Sequence, residues 1–281
     1  MDAAISNPAV DAVILLTPPN SHLELGARIL GAGKHLIIEK PAGLRTGDAR
    51  ALFAMARNRG LLIAPVLQHR FRPSVRAAVS LAASGELGKL CGVNCLIPWW
   101  RSQSYYDEPG QGSFSRDGGG VLLTQAIHTL DVLRALCGEI EIKAAQVSTS
   151  ALHSMEGEDT ACALGEFGVG AAPGTIMATT ASFPGFSEIM TLIFERATVR
   201  LTEQGMQTFY QDGRTEELMD FSGGGGADPM AFDHANHRKL LSAFLDALEG
   251  KVSMEVDLSE LIRTRDVIDK ILAFRLGNPV S

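Results

Sequence analysis

His35-Leu36-Ile37-Ile38-Glu39-Lys40-Pro41 is a short apolar stretch that ends abruptly in an acid, a base and a proline. Leu36, Ile37 and Ile38 form an unbroken apolar run, the pattern of a strand covered on both faces in a parallel sheet. Proline donates no backbone hydrogen bond, so Pro41 stops the ladder and leaves Lys40 at the strand's carboxyl end. In open α/β sheets, ligands occupy the crevice beyond those ends. Taken alone, Glu39 and Lys40 read equally well as a solvated strand terminus.

The preceding residues change that balance. Asp11 to Thr17 reads as a second buried strand that turns at Pro18-Pro19, and Asn20 or Ser21 is placed to cap the helix that follows. That helix stops at Gly31-Ala32-Gly33. Strand, turn, helix, glycine stop and strand together make one crossover unit of a parallel sheet. DAVILLTPPNSH (11–22) followed by AGKHLIIEKP (32–41) resembles the second half of the nucleotide domain in the glucose-fructose oxidoreductase and inositol dehydrogenase (Gfo/Idh/MocA) family.

No G-x-G-x-x-G fingerprint precedes the first strand, although a dinucleotide fold holds the pyrophosphate at such a turn. The resemblance implies about 70 further residues there, the length of two crossover strands and their helices. The chain is therefore expected to begin partway through a domain, as an N-terminally truncated form, and to leave the edge of strand 11–17 open, an aggregation hazard.

The 281 residues are 46% hydrophobic and 20% charged, enough for a sizeable core and unlike a disordered chain. A net charge of -7 without clustered Lys or Arg argues against nucleic acid as a partner. No apolar run approaches the roughly 20 residues of a membrane span, and no leader-like segment opens the chain, so no membrane partner and a cytoplasmic location are expected. Cys91, Cys95, Cys137 and Cys162 form no C-x-x-C pair and read as buried reduced thiols, with Cys91 and Cys95 on one strand face.

Further along, a helix is expected over Gly43 to Arg59 and a last parallel strand over Leu61 to Leu67, ending in the polar Gln68-His69-Arg70. Residues 1–70 are thus expected to be the C-terminal half of a dinucleotide-binding Rossmann domain. Pro73 opens a helix to Ser84, and Leu90 to Trp100 carries strand-forming residues. Trp99-Trp100-Arg101-Ser102-Gln103-Ser104-Tyr105-Tyr106-Asp107 holds all but one of the Trp and Tyr residues. Stacking faces with polar tips suit a sugar or polyol, although an aromatic-pinned surface loop has the same composition.

Arg116-Asp117-Gly118-Gly119-Gly120 precedes a helix expected over Val121 to Cys137. Three glycines before a helix permit close approach of a ligand to the backbone. Thr124, His128 and Asp131 fall at i, i+4 and i+7 and are expected on one helix face. Strands are expected at 140–149, 159–168, 174–183, 187–194, 197–203, 206–211 and 215–221, with Gly168 to Gly174 as a hairpin connection. Consecutive strands without helices between them imply an antiparallel sheet, so residues 71–281 form an α+β domain closed by helices at about 229–249 and 258–275. The fold class is therefore α/β plus α+β. His234 and His237 near Asp233 have a possible metal spacing but no evident third ligand, so no metal is expected and they read as helix-terminal or pocket-lid residues.

The resemblance implies oxidation of a secondary alcohol of a sugar, cyclitol or related polyol, with hydride passing to NAD or NADP. It casts Lys40 and His128 as catalytic. It places Thr17, Pro18, Asn20, His22, Glu39, Lys40 and Gln68 along the cofactor. Trp100, Arg101, Tyr105, Tyr106, Asp107, Thr124 and His128 are expected around the substrate. It also implies a homodimer or homotetramer through the antiparallel sheet. Two departures stand out. Thr124 replaces the acid many members carry, so either His128 titrates lower or Asp107 or Lys40 shares its work. Ala126 and Glu195-Arg196 stand where glycine is common. The alternatives are a cofactorless sugar-binding or assembly protein, and a lyase or glycosidase using a held nicotinamide as a transient oxidant.

Overall fold

The computed structural model describes residues 2–220 and 234–276. The expected Gly223–Gly226 loop, Asp233 and the start of a helix at 229 lie outside these. The described elements run α1 Asp2–Ile5, β1 Ala12–Leu15, α2 His22–Gly31, β2 His35–Ile38, α3 Thr46–Asn58, β3 Ile63–Pro65, α4 Pro73–Ala83 and β4 Leu90–Pro98. They continue with α5 Gln103–Tyr106, α6 Val121–Thr124, α7 Ile127–Cys137, β5 Ile140–Ser148, β6 Thr160–Phe167, β7 Ala172–Thr179 and β8 Ile189–Phe194. The remainder is β9 Ala197–Thr202, β10 Gly205–Tyr210, β11 Thr215–Met219, α8 Ala235–Leu248 and α9 Leu258–Leu272.

The apolar runs become the expected parallel ladder, with Val13 opposite Leu36 and Leu36 opposite Ile63. Leu36, Ile37 and Ile38 are all buried, as their uninterrupted pattern requires. Strand β1 is the edge of this sheet among the described residues, and Ile14 is 48% and Leu16 68% exposed beside it. Ser21 does not cap α2 with its side chain; its hydroxyl donates to Pro18 O at 2.8 Å and shares a proton with Thr17 Oγ1 at 2.7 Å.

The second sheet has the order β11-β10-β9-β8-β4-β7-β6-β5, antiparallel throughout except where β4 meets β7. One face packs on α4, α7 and α9 through alternate residues such as Ala161, Ala163, Ile176, Met190, Leu192 and Val199. The opposite face presents Leu164, Met177, Ile193 and Phe209 to solvent. Strand β7 starts earlier than its glycine and proline suggest. Pro173 sits just beyond the reach of β4, where no N–H is required, and a Cβ at Gly174 would lie 2.6 Å from the Phe167 ring. A bulge between Leu90 and Gly92 turns Cys91 outward while Cys95 is buried, and Cys162 is also exposed, which corrects the reading of four buried thiols.

The helix expected over Val121 to Cys137 is broken. At Ala126 the backbone N–H reaches back five residues to Val121 O, and α7 restarts after it. At the head of α6, Glu158 accepts from the amides of Gly120 and Leu122 at 3.1 Å each, and Val121 N donates to Glu158 O at 2.7 Å. A Cβ on Gly120 would lie 1.8 Å from that same oxygen, so this glycine serves chain-to-chain packing rather than ligand approach.

A buried charge network joins the layers. Arg70 donates from Nε and Nη2 to the two carboxylate oxygens of Asp131 at 2.6 and 2.9 Å, and to Glu260 at 3.0 Å. Thr264 donates to Asp131, and Arg134 to Glu260. Asp131 therefore faces this network instead of sharing a functional face with Thr124 and His128. Removing one partner of a buried pair leaves the other desolvated, and Glu260 compensates only in part. Asp131→Ala is expected to lower unfolding free energy by about 3 kcal/mol. Urea denaturation at neutral pH measures this, and a loss below about 1 kcal/mol, the value of an exposed pair, would contradict it.

Candidate active site

The strand ends and the broken helix bring a polar cluster into one buried crevice. β2 ends at Ile38, so Lys40 lies beyond the sheet, where its Nζ donates to Thr124 O at 2.6 Å. That carbonyl is the last of α6, exposed by the break before α7. One turn later His128 is buried, and its ring stacks on His69 with centroids 4.8 Å apart and an interplanar angle of 29°. His69 arrives from the opposite side, on the turn that follows β3.

Burial governs the electrostatics. It pushes Lys40 down, opposed by Glu39 and Asp117 and reinforced by Arg101. Burial, then the charges of Lys40, His69 and His237, holds His128 well below the ordinary imidazole range. His69 is pushed down to about 3 by burial, Arg72, Lys40 and His237. His237, on α8, is lowered as well, mainly by burial. The cluster is thus a lysine among neutral imidazoles. The Nδ1 atoms of His69, His128 and His237 and Oε1 of Gln68 are shielded from solvent and lack a hydrogen-bond partner among the described residues. Such groups are usually satisfied, so four of them together single this cluster out from the rest of the interior.

The aromatic segment divides. Arg101 is buried, with its guanidinium 5.9 Å from the Trp99 ring centre and 5.7 Å from that of Tyr105. Tyr105 OH meets Gln125 Nε2 at 3.4 Å, and Thr124 Oγ1 lies within hydrogen-bond reach of Gln125 Oε1 and of Gly120 O, one of which takes its proton. These residues border the Lys40 crevice. Tyr106 is instead buried in packing, its hydroxyl 2.7 Å from Thr180 Oγ1. Asp107 is exposed and accepts from Gln103 at 2.9 Å, so it does not share proton work with His128. Trp100 packs edge-on to Phe183 and against His153. His153 is a buried strut: its ring nitrogens meet Asp159 at 2.8 Å and Arg101 O at 2.9 Å.

On the cofactor side, His22 is fully buried, with Nδ1 2.8 Å from Pro41 O and Nε2 2.7 Å from Thr17 O. It clamps the two strand-end turns together and offers no free nitrogen. Thr17, Glu39, Lys40 and Gln68 remain at the carboxyl ends, Pro18 is exposed on the first turn, and Asn20 N donates to Arg116 O at 3.1 Å. The strand ends with Gln68 Oε1 unpaired fit the nicotinamide half of a dinucleotide, and no G-x-G-x-x-G stretch for the pyrophosphate occurs in the chain. His69, Asp117 and Gln125 were not legible as site residues, the only signal among them being the polar run at a strand's carboxyl end from which His69 comes; His237 read only as a helix-terminal or pocket-lid residue. Among the described residues no group of three His, Cys, Asp or Glu is arranged to hold a metal ion, and no helix is long and apolar enough to cross a membrane.

A parallel crossover sheet whose carboxyl ends face a helix carried on a large open sheet defines a nucleotide-binding unit joined to a second α+β layer. Residues 1–66 match the "Oxidoreductase family, NAD-binding Rossmann fold" and residues 75–200 the "GFO/IDH/MocA C-terminal domain". The chain belongs to the Gfo/Idh/MocA family. An uncharacterized oxidoreductase of Synechocystis is 33% identical over 153 residues, 53% of this chain and 40% of its own length. A 1,5-anhydro-D-fructose reductase of Ensifer adhaerens is 27% identical over 56% of this chain and 46% of its own. The chain thus spans under half the length of these curated relatives. The WlbA dehydrogenase of Bordetella pertussis, solved with NADH and UDP-GlcNAcA, shares the fold with a TM-score of 0.82 at 24% identity, over 100% of this chain and 83% of that one. A levoglucosan dehydrogenase solved with NADH and levoglucosan has a TM-score of 0.83 at 18% identity, over 98% and 80% respectively.

The low imidazole values carry a stability consequence. Unfolding returns His69 from about 3 to the ordinary 6.5, so between those values the unfolded chain binds the extra proton. The contribution is full above pH 6.5 and is lost as pH falls toward 3. His69→Gln is expected to reduce the slope of unfolding free energy against pH by up to about 1.4 kcal/mol per unit below pH 6. Urea titrations at pH 7, 6 and 5 measure it, and an unchanged slope would contradict it.

Proposed function

We propose that the protein is an NAD(P)-dependent oxidoreductase that oxidises a secondary alcohol of a sugar, cyclitol or related polyol, with Lys40 and His128 handling the proton. The observation that carries this reading is the meeting of Lys40, from the end of β2, with the stacked His128 in one buried crevice. The relatives named as sugar and cyclitol dehydrogenases or reductases support the substrate class. In this reading residues 1–70 form the cofactor side and 71–281 the substrate side and, through the exposed sheet face, the contact with a second copy.

When bound, the nicotinamide supplies the hydride acceptor, with Thr17, Glu39, Lys40 and Gln68 along it. Lys40 keeps one N–H on Thr124 O, which fixes the direction of its other donors toward the alcohol oxygen. Those donors stabilise the negative charge that develops as the O–H bond breaks. His128 is neutral at pH 7, ready to take the hydroxyl proton. Tyr105 and Arg101 supply a stacking wall and a cation on the substrate side. The walls exclude water, which strengthens each of these interactions.

Lys40→Ala and His128→Asn are each expected to lower kcat/KM for polyol oxidation by about 10²–10⁴-fold. The acid limb of kcat/KM is expected below pH 6.5, because the folded environment depresses His128. Nicotinamide absorbance reports turnover, and nicotinamide fluorescence reports binding. Sugar binding with no NAD(P) affinity would favour the cofactorless alternative, while unchanged turnover in both variants would refute the assignment.

A further inference from the structure

His69 and His128 come from elements nearly sixty positions apart, yet their rings lie 4.8 Å apart and 29° from coplanar. Neither ring has much freedom to leave. The next residue after His69 is Arg70, whose paired hydrogen bonds to Asp131 run to the residue one helical turn after His128. One further on, Phe71 is fully buried and its carbonyl accepts from Lys239 at 3.3 Å. The turn after β3 and helix α7 are thus joined by two successive contacts, the ring stack and the Arg70–Asp131 pair, while Phe71 ties the same turn to α8. The Nδ1 atoms of both rings are shielded and unpartnered among the described residues, so no hydrogen bond from protein fixes either imidazole through that atom. The ring faces hold the orientation instead.

We propose that His69 is a positioning residue for His128, its flat ring setting the plane in which the His128 imidazole meets the substrate hydroxyl. This rests on the oxidoreductase reading above. The charge environment fits a ring that works as a neutral plate. Lys40 from the end of β2 and Arg72 from the turn after β3 place positive charge around the pair, His237 from α8 would add to it if protonated, and Glu39 faces His237. A second proton on either ring would face that charge at stacking distance. A flat apolar ring at position 69 is therefore expected to serve as well as imidazole, whereas a side chain of similar bulk without a flat face is not.

Three variants separate these roles: His69→Phe, His69→Leu and His69→Ala. For Leu and Ala, kcat is expected to fall about 10–100-fold, the scale of a misplaced catalytic group, with KM changed less than about threefold. Phe is expected to keep kcat within about threefold of the parent. The protein labelled at histidine Cε1 gives a second reading that needs no turnover. The His128 resonance should stay flat from pH 8 to 5 in the parent and in His69→Phe, and should titrate within that range in His69→Ala, where water reaches the ring. If Phe is as impaired as Leu, the Nδ1 of His69 matters and the proposal is overturned. Leu as active as Phe would reduce the role to volume and overturn it too, as would no change in any variant. The titration readout survives even if the His128→Asn result refutes the oxidoreductase reading, so the two failures are distinguishable.

Discussion

The contact on which the site depends is the 2.6 Å hydrogen bond from Lys40 Nζ to Thr124 O. It joins the carboxyl end of a parallel strand to a carbonyl that exists as a free acceptor only because the helix breaks before Ile127. A continuous helix would engage that carbonyl in its own ladder. Glu158 holds the head of α6 in place, its carboxylate and carbonyl accepting from first-turn amides that a helix leaves without an internal partner. A lysine held by a backbone carbonyl, with two neutral imidazoles near it, is the outcome.

Around that contact the rest of the molecule acts as a frame. Arg70, Asp131, Arg134, Glu260 and Thr264 tie the last parallel strand's turn, α7 and α9 together. Buried ion pairs of this kind contribute little net stability over apolar packing, but they penalise every alternative register. His153, held by Asp159 and holding Arg101 O, performs the same service for the aromatic wall. Each device fixes the position of a group near the crevice and touches no solvent-facing ligand surface itself.

Much of the frame was legible in residue order. An apolar run closed by Glu39-Lys40-Pro41 is a buried strand with a functional end, because burial demands the run. Strand alternation after Glu139 gave the open sheet for the same local reason. What escaped was set by contacts distant in sequence. Nothing in Val121 to Ala126 announces a helix break, and the hold of Glu158 on the head of α6 comes from 38 residues away. The three glycines read as a ligand cradle, whereas Gly120 is required by the backbone of Glu158. Asp131 read as a neighbour of His128, yet its carboxylate is committed to Arg70. His69 carried no pattern of its own, because a stack depends on two rings meeting through the fold.

The central claim is that Lys40 and His128 act as one proton-handling unit on a single alcohol oxygen. A double-mutant cycle on kcat/KM with Lys40→Met and His128→Gln tests it most directly. If the two act together, the double variant is no slower than about the worse single variant, because either loss disables the unit. Losses that multiply, each residue contributing its full factor in the absence of the other, would contradict the account.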